Sequence, residues 1–142
     1  MDPSVIDMLS PRGVPSFKFA AIGDQIRGTI AASETRQQID LDGKPLEWDD
    51  GQPKMQLVIT LDTDLRDAEI DNDTGQRRIF AKKPGAMLNA LIAAHKEVPL
   101  EVGTELAVSY VGDGEPTKKG YSAPKLYEAK AKPAKPVADL DF

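Results

Sequence analysis

The sequence has no cysteine. That excludes disulfides, thiol catalysis and thiolate metal sites, and it fits a reducing compartment. There is one histidine, His95, and no nucleophile–base constellation forms around it. No glycine-rich phosphate loop of the Walker type is present. No apolar run approaches the length of a membrane span, and Met1-Asp2-Pro3-Ser4 lacks the cationic-then-apolar order of a signal peptide. The expected location is therefore a cytoplasm, with no membrane partner. Aromatic residues are scarce, at 6% of the chain, so any surface that stacks on planar ligands must rest on few rings.

What is present describes one ordinary soluble domain. The chain has 142 residues, 40% of them hydrophobic and 29% charged, enough for a sizeable core. The net charge of −5 argues against nucleic acid if read as a sum. Its distribution argues otherwise. Asp40–Asp50 holds five acids and Asp62–Asp73 six, whereas Gln76–Lys83 and Thr117–Pro136 together hold 10 of the 18 cations against Glu128 alone. A local basic face can exist on an acidic protein.

The central stretch is Gln76–Lys83, with Arg77, Arg78, Lys82 and Lys83 and no acid. As a strand, its alternation puts Arg77, Ile79 and Ala81 on one face and Arg78, Phe80 and Lys82 on the other. One face can join a core while the other shows an aromatic between two cations. A register slip of one residue would exchange Arg77 with Arg78. Upstream, Met55, Leu57, Ile59 and Leu61 alternate with Gln56, Val58 and Thr60, and the two runs read as an antiparallel pair.

The remaining chain completes a pattern. Residues 1–15, with Pro3, Pro11, Gly13 and Pro15, read as a poorly ordered arm. A first strand carries Ile26, Gly28 and Ile30, the glycine marking a bulge or bend. A polar loop at 36–53 holds the only tryptophan, Trp48, which is either a lid on the core or a stacking platform. Pro84-Gly85 ends the basic strand, and Ala86–Glu97 reads as a helix through Met87, Leu88, Leu91, Ile92 and His95, stopped by Pro99. The spacing makes His95 a structural residue. Further strands follow at Thr104–Val111 and near Lys125–Ala131, separated by a turn and by the cationic Lys118-Lys119-Gly120-Tyr121. From Ala131 the chain is a Lys/Ala/Pro linker, and it ends Asp139-Leu140-Asp141-Phe142. The expected organisation is an arm at 1–15, a domain at 16–131 and a linker with an acidic tip at 132–142.

Three strands, a helix and two strands match a mainly β fold: the five-stranded Greek-key OB barrel with a helix between strands 3 and 4. Its usual ligand surface is the strand 2–3 face with the 1–2 and 4–5 loops. Two acidic candidates are weaker. Asp71-Asn72-Asp73-Thr74-Gly75 has its glycine one place early for a calcium loop and no twelfth-position glutamate, so it reads as a solvated hairpin loop. Asp62 and Asp64 share a strand face without a third fixed acid. No metal or cofactor is expected. The C-terminal tip joins an apolar ring, a free carboxylate and two acids, a combination that a small apolar pocket rimmed by cations can hold.

The chain resembles the bacteriophage single-stranded-DNA-binding proteins of the small OB-fold type over roughly residues 17–131. The likeness rests on Phe19…Gly23-Asp24…Gly28-Thr29, on Met55-Gln56-Leu57-Val58-Ile59-Thr60, on Gly112-Asp113-Gly114-Glu115-Pro116 and on Pro124-Lys125-Leu126-Tyr127. The tip resembles the acidic, Phe-terminated tails of such proteins. The resemblance implies a non-enzymatic protein of phage replication, recombination or repair in the host cytoplasm. It also implies that phage or host proteins are recruited through Asp139, Leu140, Asp141 and Phe142. Phosphate contacts are expected from Arg27, Lys54, Arg77, Arg78, Lys82, Lys118, Lys119 and Lys125, and stacking from Trp48, Phe80, Tyr121 and Tyr127. A homo-oligomer would fit the scarcity of outward rings. Two rival readings remain open: an OB-fold protein–protein adaptor without nucleic acid, and a metal-dependent nuclease using the acidic loops.

Overall fold

The computed structural model describes residues 14–115 and 123–134. The elements follow the expected order: β1 (Gln25–Gln37), β2 (Met55–Asp62), β3 (Gln76–Lys82), α1 (Ala86–Glu97), β4 (Glu105–Asp113) and β5 (Lys125–Lys132). The strands form one antiparallel sheet in the order β3-β2-β1-β4-β5. Its edges are β3 and β5. No ladder joins them among the described residues, so the sheet is open where a closed barrel was expected. Helix α1 lies across that opening and packs on both edge strands.

The long β1 serves both halves of the sheet. Its first part, Gln25–Thr29, pairs with β4, and its second, Thr29–Gln37, pairs with β2. Between them the register shifts, at Ile30/Ala32. An extra residue in one strand bends it and raises its twist, which lets one strand belong to two differently oriented halves. The bulge lies past Gly28, the glycine expected to mark it. Gly28 answers a different need: a Cβ there would stand 2.4 Å from the Asp62 carbonyl oxygen. Only a residue without a side chain allows β2 to end so close.

The inner face buries Ile26 and Ile30 of β1, Ile59 and Leu61 of β2, Ile79 and Ala81 of β3, and Leu106, Val108 and Tyr110 of β4. These are the alternating positions that the period of two selects. Met87, Leu91 and Ala94 are the buried residues of α1. Ile92, read from the spacing as a core residue, is 45% exposed. His95 is exposed and its Nδ1 accepts the Leu100 N–H at 3.0 Å, which fixes the turn after the helix.

One segment expected to be irregular is ordered by hydrogen bonds, and residues 1–13 of the expected arm lie outside the described residues. Residues 38–54 form bridged turns, with Ile39 opposite Pro45 and Glu47 opposite Pro53. Gln38 N–H donates to Lys54 O at 2.7 Å, and Lys54 N–H to Leu46 O at 3.0 Å. At the N-terminal side, pairing starts one residue before the expected domain boundary. Arg78 N–H donates to Pro15 O at 2.8 Å and Phe17 N–H to Arg78 O at 3.0 Å, so residues 15–17 run along the free edge of β3.

Candidate nucleic-acid interface

The ladders fix which side chains share the outer face of β1, β2 and β3. Lys82, Gln56 and Arg36 form one row, Phe80, Val58 and Glu34 the next, and Arg78, Thr60 and Ala32 the third. Strands about 4.8 Å apart and alternate residues about 7 Å apart make this a strip with a ring at its centre and a cation on either side. Phe80 is 40% exposed. Val58 beside it is fully buried yet lies outside the core cluster, as expected of a residue covered on the outer face. Among the described residues neither Arg78 nor Lys82 forms an ion pair. The Arg78 Nε is buried without a hydrogen-bond partner. Arg36, which sequence reasoning missed, pairs with Glu34 on the same strand.

Trp48 stands in the bridged turns at the end of this strip. The Lys54 ammonium lies 4.6 Å from the centre of its ring, a cation–π contact, and the ring is 44% exposed. It is therefore not a lid on the core. A cation held against an open aromatic face offers a phosphate contact and a stacking surface side by side.

Three of the expected contact residues are engaged by contacts within the fold. Arg77 lies on the inner side and is buried. Its Nη1 and Nη2 donate to Asp73 Oδ1 and Oδ2 at 2.8 and 2.7 Å. Asp73 also accepts the N–H groups of Gly75 and Asp67, each at 2.8 Å. The Arg77 fork and these amides hold the Asp73 carboxyl far below the usual carboxylate range, and the hydrogen bond to Asp73 raises Arg77 in turn. The loop read as a solvated hairpin is thus organised around one acid. Lys125 is exposed, but its Nζ donates to Phe19 O at 2.5 Å and lies 5.2 Å from the centre of the Tyr110 ring. Tyr127 packs edge-on against Phe19, with ring centres 5.1 Å apart, and burial pushes its phenol above the ordinary value. Lys125 and Tyr127 both line a shallow cavity together with Phe80, so they stand beside the strip and not in its rows.

Arg27 is solvent-facing but sits on the other half of the sheet. Its row runs Arg27, Ala107, Lys130 across β1, β4 and β5. These residues, with Lys132, line a shallow groove of about 260 Å³ that also holds Glu105 and Glu128. Lys130 and Lys132 were missed, although their alternation with Ala129 and Ala131 signals an outward face. Lys118, Lys119 and Tyr121, and the tip residues Asp139, Leu140, Asp141 and Phe142, lie outside the described residues.

Comparison with protein-family models, curated proteins and solved structures returned no match. The site must therefore be read from its own chemistry. Among the described residues, no group of three or more histidine or acidic side chains is placed to hold a metal ion. No helix there is long and apolar enough to cross a membrane. What the outer face of β1–β3 presents is cations, one open ring in the strand and another in the adjoining turns.

Proposed function

We propose that the protein binds single-stranded DNA, without catalysis, on the outer face of β1–β3. The observation that carries this reading is the Arg78–Phe80–Lys82 run, with its ring exposed between two cations free of carboxylate partners among the described residues. Cations neutralise phosphates irrespective of sequence, and a ring stacks on any base. Trp48 under Lys54 extends the strip by a second ring and a third cation. A single strand exposes its bases to such rings, whereas a duplex hides them. Within this reading the fold is a Greek-key OB barrel left open between β3 and β5. The meander β1-β2-β3 and the return of β4 beside β1 support it. The protein would then act in phage replication or recombination and recruit partners through Asp139–Phe142.

The test is a titration of Trp48 fluorescence with oligo-dT, alongside a duplex of equal length, with and without magnesium. Binding should quench the fluorescence and favour the single strand, magnesium should leave the DNA intact, and Phe80→Ala should weaken binding by about 1–3 kcal/mol. Equal affinity for duplex, or unchanged affinity in Phe80→Ala, removes the stacking strip. Cleavage that needs magnesium would favour the nuclease instead.

A further inference from the structure

A second surface takes no part in the DNA strip. Between α1 and the inner side of β1 and β2 runs an apolar groove of about 260 Å³, lined by Ile30, Leu57, Leu88, Ile92, His95 and Leu100 among others. Ile92 is 45% exposed at its rim. The chain leaves β5 beside Gly103, three residues past Leu100 of this lining. Ala134 lies so close to Gly103 that a Cβ on the glycine would stand 3.2 Å from its methyl carbon. Gly103 N–H in turn donates to the carbonyl of Ile30 at 2.9 Å, and Ile30 lines the groove.

Eight residues follow Ala134, from Lys135 to Phe142, and they include Val137, Leu140 and Phe142. Extended, eight residues reach about 26 Å. Helix α1 has 12 residues, a length of about 18 Å. The segment is therefore long enough to run the whole groove from the point where the described chain ends. A tether this short holds its tip at an effective concentration in the millimolar range, so weak apolar contacts suffice to seat it. We propose that the C-terminal tip occupies the α1 groove of its own molecule, with Leu140 and Phe142 buried against Leu57, Leu88 and Ile92. An undocked segment would leave the groove and the side chains of Leu140 and Phe142 in water together, and docking removes both from it.

The test is independent of DNA binding. Methyl-labelled full-length protein is compared by NMR with a variant ending at Ala134 and with Phe142→Ala. Loss of the ring should move the methyl signals of Leu57, Leu88, Ile92 and Leu100 more than any others. A synthetic peptide of residues 135–142 added to the truncated protein should restore them at millimolar concentration. In Ile92→Glu, which alters a half-exposed side chain, truncation should no longer move the remaining groove signals. Superimposable spectra overturn the proposal. So do changes centred on Arg78, Phe80 and Lys82, and so do changes that fade on dilution, which would place a second copy in the groove.

Discussion

Arg77 holds both oxygens of Asp73 inside the fold, while its neighbour Arg78 faces outward without an ion pair among the described residues. The two cations should answer mutation in opposite ways. Arg77→Ala leaves a buried carboxylate without its partner, so the thermal midpoint should fall, with DNA affinity of the still-folded protein little changed. Arg78→Ala should leave the midpoint nearly unchanged. It should weaken oligonucleotide binding for all sequences alike, because phosphate contacts carry no base information. The Asp73 pair also predicts a pH dependence. A carboxyl whose folded value is lowered contributes stability above its unfolded value of about 4 and loses it as the pH falls toward the lowered value. The stability gap between wild type and Asp73→Asn should therefore be full at pH 7 and shrink below about pH 4, as urea unfolding at each pH would show. A gap unchanged at pH 2 would mean that Asp73 acts by its backbone contacts and not by its charge.

At the scale of the element, β1 decides the architecture. It is 13 residues long, and its register shift allows the first half to pair with β4 and the second with β2. The close approach of Asp62 to Gly28 secures the junction of the two halves. Gly28→Ala should cost about 1–3 kcal/mol, because added volume in a tight site forces the backbone apart. Its urea midpoint should drop while the slope stays constant, since the same surface is exposed on unfolding. A neutral substitution would show that the end of β2 can shift freely. The turns at 38–54 matter for a related reason. Their backbone bonds to one another and to Lys54 hold Trp48 beside the strip, so Trp48→Ala should reduce binding with little effect on stability.

For the whole molecule the balance is electrostatic. A protein of net charge −5 repels DNA at long range, so under the proposed function the strip would have to act locally, within about 10 Å at 0.1 M salt. Arg78, Lys82 and Lys54, with up to two more cations, would neutralise three to five phosphates. The slope of log affinity against log salt should then be roughly −2 to −3.5, at about −0.7 per single-strand contact. An affinity indifferent to salt would sink the phosphate assignment. Arg27→Ala tests whether the DNA crosses to the β1–β4–β5 groove: a slope shallower by about 0.7 places a phosphate there, and no change confines the path to β1–β3.

The order of elements and the inward residues of β1 to β4 were determined by the sequence itself, because a period of two or of 3.6 is a local property of the chain. It placed Ile79 and Ala81 inside, Phe80 and Lys82 outside, and Arg77 with the inner set. It also set the helix at Ala86–Glu97 between a Pro-Gly break and Pro99. Tertiary structure decided what lies against each face. Asp73 meets Arg77 because the loop before β3 folds back. Lys125 and Tyr127 turn to Phe19 and Tyr110, residues from the far end of the chain and from β4. Arg27 and Arg78 are parted because the bulged β1 leads into two halves of an open sheet. Periodicity states on which side of its own strand a residue stands, and only the packing of distant segments states what covers that side.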